Sequence, residues 1–289
     1  MRNKVAVLFT TFNGEKYLKE QLDSVLSQAE VDVVVYISDD MSTDKTKEIV
    51  TEYMTNYSNV ALLPDDKKFK CAAKNFYRLI RDVDLKDFDY VCFADQDDIW
   101  NKDKLIRSIN KIKEHNVEAY SSSILAFWES GKEKLIKKDY PQKKYDYLFE
   151  SAGPGCSYLF KIDTFLEFKE FLINNWKKCE FVDQHDWLVY AYYRSNKHNW
   201  FIDSSPSLKY RQHEKNQVGG NVGFTAALKR LSMMRSGWHL SESRKIASVL
   251  ENCPDKIDKK FMLRNLFQLR RRLRDCLVLG VVIVLGIYK

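Results

Sequence analysis

The chain has 289 residues, 45% hydrophobic and 13% aromatic, enough apolar material for one large domain or two closely joined modules. Its net charge is +7, but from Asp255 onward nine basic residues face three acidic ones, so that tail carries +6 and the remainder is nearly neutral. This distribution argues against a diffuse nucleic-acid-binding surface and assigns the basicity to one segment. The six cysteines form no CxxC pair and have no regular spacing, and most lie in apolar surroundings where free cysteine packs as a small hydrophobe. With no signal sequence at the N-terminus, the expected setting is reducing and cytosolic.

Val5 to Thr10 is a continuous apolar strand running into the turn signal Thr11-Phe12-Asn13-Gly14. Glu15 to Gln28 follows with Leu18, Leu22, Val25 and Leu26 on one helical face. Val31 to Ile37 is a β-branched strand that stops at Ser38-Asp39-Asp40-Met41-Ser42-Thr43-Asp44, where Ser42 or Thr43 is a candidate cap for a helix through Tyr53. A third strand, Val60 to Leu63, precedes a helix from about Ala72 to Arg81, and Tyr90 to Ala94 is the fourth strand. Strands alternating with helices predict a parallel sheet covered on both faces, with ligands outside the carboxyl ends of the strands.

Three of these four strands end in a polar cluster, the last being Asp95-Gln96-Asp97-Asp98. Neighbouring carboxylates repel by roughly 1 kcal/mol at about 4 Å even in water. A hard divalent cation, Mg²⁺ or Mn²⁺, rewards that arrangement; the alternative is that Asp97 or Asp98 caps a helix starting near Asn101. Neither G-x-G-x-x-G after the first strand nor G-x-x-x-x-G-K-[ST] occurs. A nucleotide here lacks a glycine cradle, so a metal on the aspartates would have to meet its phosphate charge.

In this order and spacing, Thr10-Thr11-Phe12-Asn13-Gly14, Asp39-Asp40-Met41-Ser42-Thr43-Asp44 and Asp95-Gln96-Asp97-Asp98 resemble the family 2 inverting glycosyltransferases of GT-A fold. Phe93-Ala94-Asp95-Gln96-Asp97-Asp98-Ile99-Trp100, His185-Asp186-Trp187 and Tyr210-Arg211-Gln212-His213-x-x-Asn216-x-Val218-Gly219 are similar to the rhamnosyltransferase-like branch, which uses dTDP-L-rhamnose for bacterial surface polysaccharides. The resemblance covers roughly the first 220 residues. It implies Thr10 and Phe12 under the nucleotide, Asp40 on the N–H of thymine or uracil and Asp95 near the ribose. Asp97 or Asp98 would hold the metal, Lys74 would approach the phosphates, and Asp186 would be the catalytic base. Phe12 stands where the family often has Tyr, and Met41 replaces the usual glycine. His213, in the segment resembling the one that closes over the diphosphate, is placed on phosphate or metal, or is structural.

Further along, Lys102–Asn116 reads as a helix, Ala119 to Phe127 as a strand and 130–146 as exposed and lysine-rich. Ser151 to Cys156 is a backbone-rich loop near a sugar, or a plain turn. Asp163 to Asn174 is helical, and Asp183 or Asp186 is an N-cap of the aromatic helix that follows. His185 is structural or functional; Trp187 stacks on a sugar or belongs to the core. Ser207–Lys209 is strand-like, and Phe224 to Met234 and Ser241 to Leu250 look helical. Cys276 to Tyr288 is uninterrupted apolar sequence; thirteen residues at about 1.5 Å each reach about 20 Å, short of a roughly 30 Å bilayer core. An interfacial anchor on anionic lipid therefore fits better than a span, with a core or partner-docking helix as the alternative.

These readings combine into an α/β, Rossmann-like mostly parallel sheet of GT-A type with a helical C-terminal extension. Its glycosyltransferase domain spans 1–220, with a nucleotide-sugar half at 1–116 and an acceptor half at 117–220; a membrane-associating region spans 221–289. The expected activity is metal-dependent inverting transfer of a sugar, L-rhamnose first, onto a glycan or lipid-linked glycan, with Mn²⁺ or Mg²⁺ and peripheral placement at the inner membrane face. A UDP-sugar donor is the runner-up; a nucleotidyltransferase or a non-enzymatic membrane adaptor are the alternatives of another class.

Overall fold

A computed structural model describes residues 2–64, 68–213, 235–254 and 256–288. The stretch from Asn216 to Gly220 and the predicted helix from Phe224 to Met234 lie outside the described residues. The first half runs β1 (Asn3–Thr11), α1 (Leu18–Leu26), β2 (Val31–Asp39), α2 (Thr46–Asn56), β3 (Val60–Leu62), α3 (Ala72–Asp82), β4 (Tyr90–Ala94), β5 (Ile99–Trp100) and α4 (Lys104–His115). The second half contributes β6 (Ala119–Ser122), β7 (Ile124–Trp128), β8 (Glu133–Ile136), β9 (Leu159–Lys161), α5 (Ile162–Asn174), α6 (Trp176–Cys179), α7 (His185–Ser195), β10 (Trp200–Asp203) and β11 (Leu208–Gln212).

The main sheet has the order β10-β6-β9-β4-β1-β2-β3, parallel except for β9, which runs antiparallel to both neighbours. Along β1, Val5, Val7 and Phe9 bury into one apolar core and Ala6 and Leu8 into the other, so a single strand supplies both faces. That double burial is why these strands read as continuous apolar runs rather than alternating ones. β1 lies between β2 and β4, with Thr11 opposite Asp39 and Phe9 opposite Ala94, so the three polar clusters leave the sheet at one edge.

The run from Ala119 to Phe127 is two strands, not one. It breaks at Ser123, whose N–H donates to the Asp203 carbonyl at 2.8 Å, and the chain passes from the main sheet into a second sheet of order β5-β11-β7-β8. Ser122 and Ser207 share a 2.7 Å hydroxyl bond at this corner. The lysine-rich 130–146 segment is not wholly exposed either: it contains β8, and Lys138 reaches the wall of a cleft. Neither Ser42 nor Thr43 caps α2; the Asp44 carboxylate accepts from the Thr46 N–H at 3.0 Å, and the Ser42 hydroxyl turns to Asp39. Asp97 and Asp98 cap no helix, because β5 intervenes and α4 starts only at Lys104.

After Arg235 come helices Trp238–Val249, Lys259–Arg264 and Leu273–Val284. Leu240, Ile246, Met262, Leu279 and Ile283 are buried in the same core as Leu148, Tyr190 and Phe160 of the second half. The C-terminal segment is thus packed onto the sheet domain. Among the described residues, no helix is long and apolar enough to cross a membrane.

Candidate active site

The polar strand ends open into one cleft of about 1660 Å³, walled on one side by residues 10–14 and 95–97 and on the other by 151–155 and 183–186. Of the residues singled out in the sequence, Thr10, Phe12, Asp40, Asp95, Asp97, Asp186 and His213 line it. Lys74 does not: Ala72, Ala73 and Asn75 of α3 reach the cleft, and the lysines that line it are Lys16, Lys68, Lys70 and Lys138. Asp98 is buried behind the wall.

The clusters are knit to one another. The Thr11 hydroxyl donates to Asp39 at 2.8 Å, the Asn13 N–H to the Ser42 hydroxyl at 2.8 Å, and the Gly14 N–H to the Thr46 hydroxyl at 2.8 Å. Gln96 joins the third cluster to the first, accepting from the Phe12 N–H at 2.8 Å and donating to the Phe12 carbonyl at 3.0 Å. A side chain on Gly14 would meet that amide at 2.3 Å and would have to push the Gln96 side chain out of its bonds to Phe12. The sequence reading gave Gln96 no role, although Gly14 was the signal for a close neighbour. Phe12 is 42% exposed, and the Lys68 ammonium lies 4.7 Å above its ring. Asp40 accepts from the N–H groups of Phe69 and Lys70, the latter at 2.8 Å. Burial raises its pKa above the ordinary carboxylate value, and those two bonds pull it back. Met41 adopts the left-handed backbone, with φ 56°, at the position where the family resemblance has glycine.

The aspartates at the end of β4 crowd one another. Burial first, then the charges of Asp97 and Asp186, push the Asp95 carboxyl up to about 7. Burial together with Asp97 and Asp95 holds Asp98 well above the usual range. One Asp98 oxygen accepts the Arg211 N–H at 3.2 Å; the other, Oδ2, is buried with no hydrogen-bond partner among the described residues. Asp95, Asp98 and Cys156 bring potential ligand atoms within 4.8 Å of one another. Burial raises the Cys156 thiol well above its usual value, so beside the two carboxyls it is held in its neutral form while no ion is bound. An orphaned carboxylate oxygen amid like charges fits a hard divalent cation, which would remove the repulsion and satisfy that atom.

β11 lies beside β5, and this pairing brings the Tyr210–His213 segment against the aspartates. His213 Nε2 is 2.7 Å from Asp97 Oδ2, and its ring lies 5.3 Å from that of Tyr17. The Arg211 side chain donates to the Asp97 carbonyl at 2.8 Å and pairs with Glu20, so it braces the aspartate loop.

Across the cleft, α7 presents Asp186 in its first turn, where Oδ1 accepts the Trp187 N–H at 2.8 Å. Burial lifts its carboxyl to about 6, and Lys138 and Ser151 pull against that shift. Lys138 lines the cleft, its own pKa lowered to about 8 by burial and by Arg271. Asp183 lines the cleft too, but it pairs with Lys245 at 3.3 Å. His185 stacks on Phe76 at 3.9 Å, and burial drives its pKa down to about 3, so it stays neutral and packs the wall. Trp187 belongs to the core, with its indole N–H donating to the Tyr147 carbonyl at 2.7 Å.

The loop from Ser151 to Gly155 packs against α7 so closely that a side chain at Gly155 would come within 2.6 Å of His185 Nε2. Two residues of the basic C-terminal segment hold this loop. Arg270 donates to the Phe149 carbonyl and Arg271 to the Ser151 carbonyl, both at 2.6 Å, and Arg271 also pairs with Asp146 and Glu150. The sequence reading gave these arginines to a membrane surface; the fold turns them inward onto the 146–151 segment beside Asp186.

The family model for glycosyl transferase family 2 matches residues 6–165. The chain belongs to this family. It is 42% identical, over 287 residues, to the dTDP-rhamnosyl transferase RfbG of Shigella flexneri, covering 96% of this chain and 99% of that protein. An uncharacterized glycosyltransferase of Haemophilus influenzae is 28% identical over 57% of this chain and 62% of its own length. Among solved structures, the mannosyltransferase PcManGT from Pyrobaculum calidifontis, in complex with GDP-Man and Mn²⁺, superposes with a TM-score of 0.56 at 16% identity, covering 100% of this chain and 82% of that one. Residues 1–349 of TarS from S. aureus, in complex with UDP, superpose with a TM-score of 0.54 at 18% identity, covering 85% and 70%. The family 2 rhamnosyltransferase-like assignment and the GT-A type fold are therefore as the motifs implied, and the protein is a glycosyltransferase. The nucleotidyltransferase and adaptor readings fall away.

Proposed function

We propose that this enzyme transfers L-rhamnose from dTDP-L-rhamnose to a glycan or lipid-linked glycan of a bacterial surface polysaccharide, with inversion at the anomeric carbon. The observation carrying the donor assignment is the 42% identity to a dTDP-rhamnosyl transferase over nearly the full length of both chains. Thr10 and Phe12 support the nucleotide, Asp40 takes the base N–H, and Asp95 lies toward the ribose. Asp97 and the free oxygen of Asp98 would hold Mg²⁺ or Mn²⁺, and His213 orients Asp97. When bound, that ion supplies positive charge for the leaving diphosphate. Lys16, Lys68 and Lys70, rather than Lys74, are the lysines that line the cleft on the nucleotide side.

Asp186 is the base. It removes the proton from an acceptor hydroxyl, whose oxygen attacks the anomeric carbon from the face opposite the diphosphate. The bond from that carbon to the diphosphate oxygen breaks, and its electron pair leaves with the nucleotide. A pKa near 6 suits this task, since the carboxylate predominates at neutral pH yet retains appreciable basicity. A lipid-linked acceptor would bring the enzyme to the inner face of the membrane, with the C-terminal segment as its contact.

A thermal-shift panel tests the donor assignment. dTDP and dTDP-L-rhamnose are expected to raise the melting temperature in the presence of Mn²⁺ or Mg²⁺, and UDP, UDP-galactose and UDP-N-acetylglucosamine to do so less. Asp40 suits uracil as well as thymine, so preference for a UDP-sugar would replace the donor while leaving the chemistry intact.

A further inference from the structure

The Leu273–Val284 helix is apolar on two opposite faces, and only one of them is used. Cys276, Leu279, Val282 and Ile283 are buried in the core. On the outer side Leu273, Leu277, Val281 and Val284 are 52–65% exposed, and Val278 and Leu285 extend the strip. The Lys259–Arg264 helix and the turn Leu266–Gln268 pack beside it, adding exposed Leu263 and Phe267. Scattered exposed leucines are ordinary, but a continuous strip of this kind marks a contact surface.

We infer that this strip is a membrane-docking face, on which the folded helix lies flat on a bilayer containing anionic lipid. The charges around it favour that occupant. Lys259, Lys260 and Arg264 are exposed on the neighbouring helix, and Arg274 is 69% exposed on the strip itself. The acidic residues nearby are already engaged: Asp258 caps the Lys259–Arg264 helix, and Asp275 pairs with Arg272 and Arg274. An apolar ridge with a cationic border matches an anionic headgroup layer over acyl chains. A second copy of this chain is the weaker occupant, because a two-fold pairing would set two cationic borders against each other. The helix has twelve residues, about 18 Å at 1.5 Å per residue, so it cannot span and must lie along the interface. The inference deepens the lipid-linked acceptor reading and rests on it for its purpose; vesicle binding itself requires no acceptor.

The test uses the full chain, since truncation would strip Leu279 and Ile283 from the core. Leu277→Glu/Val281→Glu changes two exposed positions and should leave the melting temperature and transfer to a short water-soluble acceptor unchanged. Wild type should co-sediment with vesicles containing phosphatidylglycerol but not with pure phosphatidylcholine, and the double variant with neither. Lys260→Glu/Arg264→Glu should weaken binding by more than about tenfold at low salt, given roughly fivefold per basic residue, and wild-type binding should weaken as salt rises. Wild type that stays soluble beside anionic vesicles overturns the inference. So does a face that self-associates in sedimentation velocity, with loss of that association in the Glu variants and no vesicle binding. Absence of transfer to the soluble acceptor by wild type would instead count against the enzymatic reading alone.

Discussion

On the nucleotide wall of the cleft, every candidate contact except His213 comes from the first 98 residues, and all but Lys16, Lys68 and Lys70 lie at the ends of parallel strands in one sheet. The opposite wall gathers Lys138 after β8, the loop 151–155, Asp186 on α7, and a brace from Arg270 and Arg271 more than eighty residues further on. The first wall is positioned by backbone ladders, with side-chain bonds such as Gln96 to the Phe12 backbone tying the strand ends together. The second is positioned by buried ion pairs. The carboxylates differ as well: Asp95, Asp97 and Asp98 are crowded against one another, whereas Asp186, although close enough to raise Asp95, also faces the cation of Lys138.

Breaking the first wall should have the largest effect. Asp97→Ala is expected to abolish metal-dependent nucleotide binding and transfer while the melting temperature holds, since Asp97 is half-buried and its main partner is His213. Calorimetric titration of dTDP with and without Mn²⁺ reads this directly; full activity in excess EDTA would remove the ion from the site. Breaking the second wall at its reacting group should slow transfer but spare donor affinity. Asp186→Asn keeps the shape, including an oxygen for the Trp187 N–H, and should lower turnover by about 10²–10⁴-fold. In the wild type, activity should rise with pH through about 6 as Asp186 ionises, and the pH–rate profile of the variant should lose that limb. The sign for stability is opposite: a carboxyl whose folded pKa is raised stabilises most below its unfolded value near 4, and that contribution is lost as pH climbs through 6.

How much of this was legible in the sequence follows from the same contrast. Strand ends and their polar clusters are local patterns, so the clusters that hold Thr10, Asp40 and Asp97 could be put at one edge of the sheet from the sequence, and the resemblance then singled out those residues within them. The break at Ser123 could not, because the run from Ala119 to Phe127 has one strand-like composition and the change of sheet depends on Asp203 and Ser207 far along the chain. Lys138 looked like one more solvated lysine; only the fold sets it on the wall with Asp186. Arg271 looked like part of a basic run, and its burial depends on Asp146, Glu150 and the Ser151 carbonyl.

That brace supplies the next prediction. Arg271→Met leaves Glu150 and Asp146 buried with fewer cations, and losing one partner of a buried pair typically costs about 3–5 kcal/mol. Chemical denaturation should register most of this loss. At temperatures where the variant remains folded, dTDP affinity should be near normal and turnover reduced, because the loop beside Asp186 is the part released. Equal damage to donor binding would mean the two walls are not separately braced.

The smallest expected effect concerns the nucleotide wall, and it raises stability. Met41 holds a left-handed backbone, which costs a residue with a side chain roughly 1–2 kcal/mol. Glycine escapes that cost but loses roughly 0.5–1 kcal/mol through greater freedom when unfolded. Met41 is 40% exposed, so little apolar burial is forfeited. Met41→Gly should therefore stabilise by about 0.5–1 kcal/mol, a rise of about 1–4 °C for a domain of this size. Asn13, with φ 47°, provides the control. Its side-chain oxygen accepts the Thr43 N–H at 2.8 Å, so Asn13→Gly gives up a bond between two of the clusters along with the strain. That variant should be no more stable than wild type and should bind nucleotide less well. Calorimetric scans of both variants distinguish strain relief from loss of the link, and a lower melting temperature for Met41→Gly would show that the methionine side chain supports the turn after all.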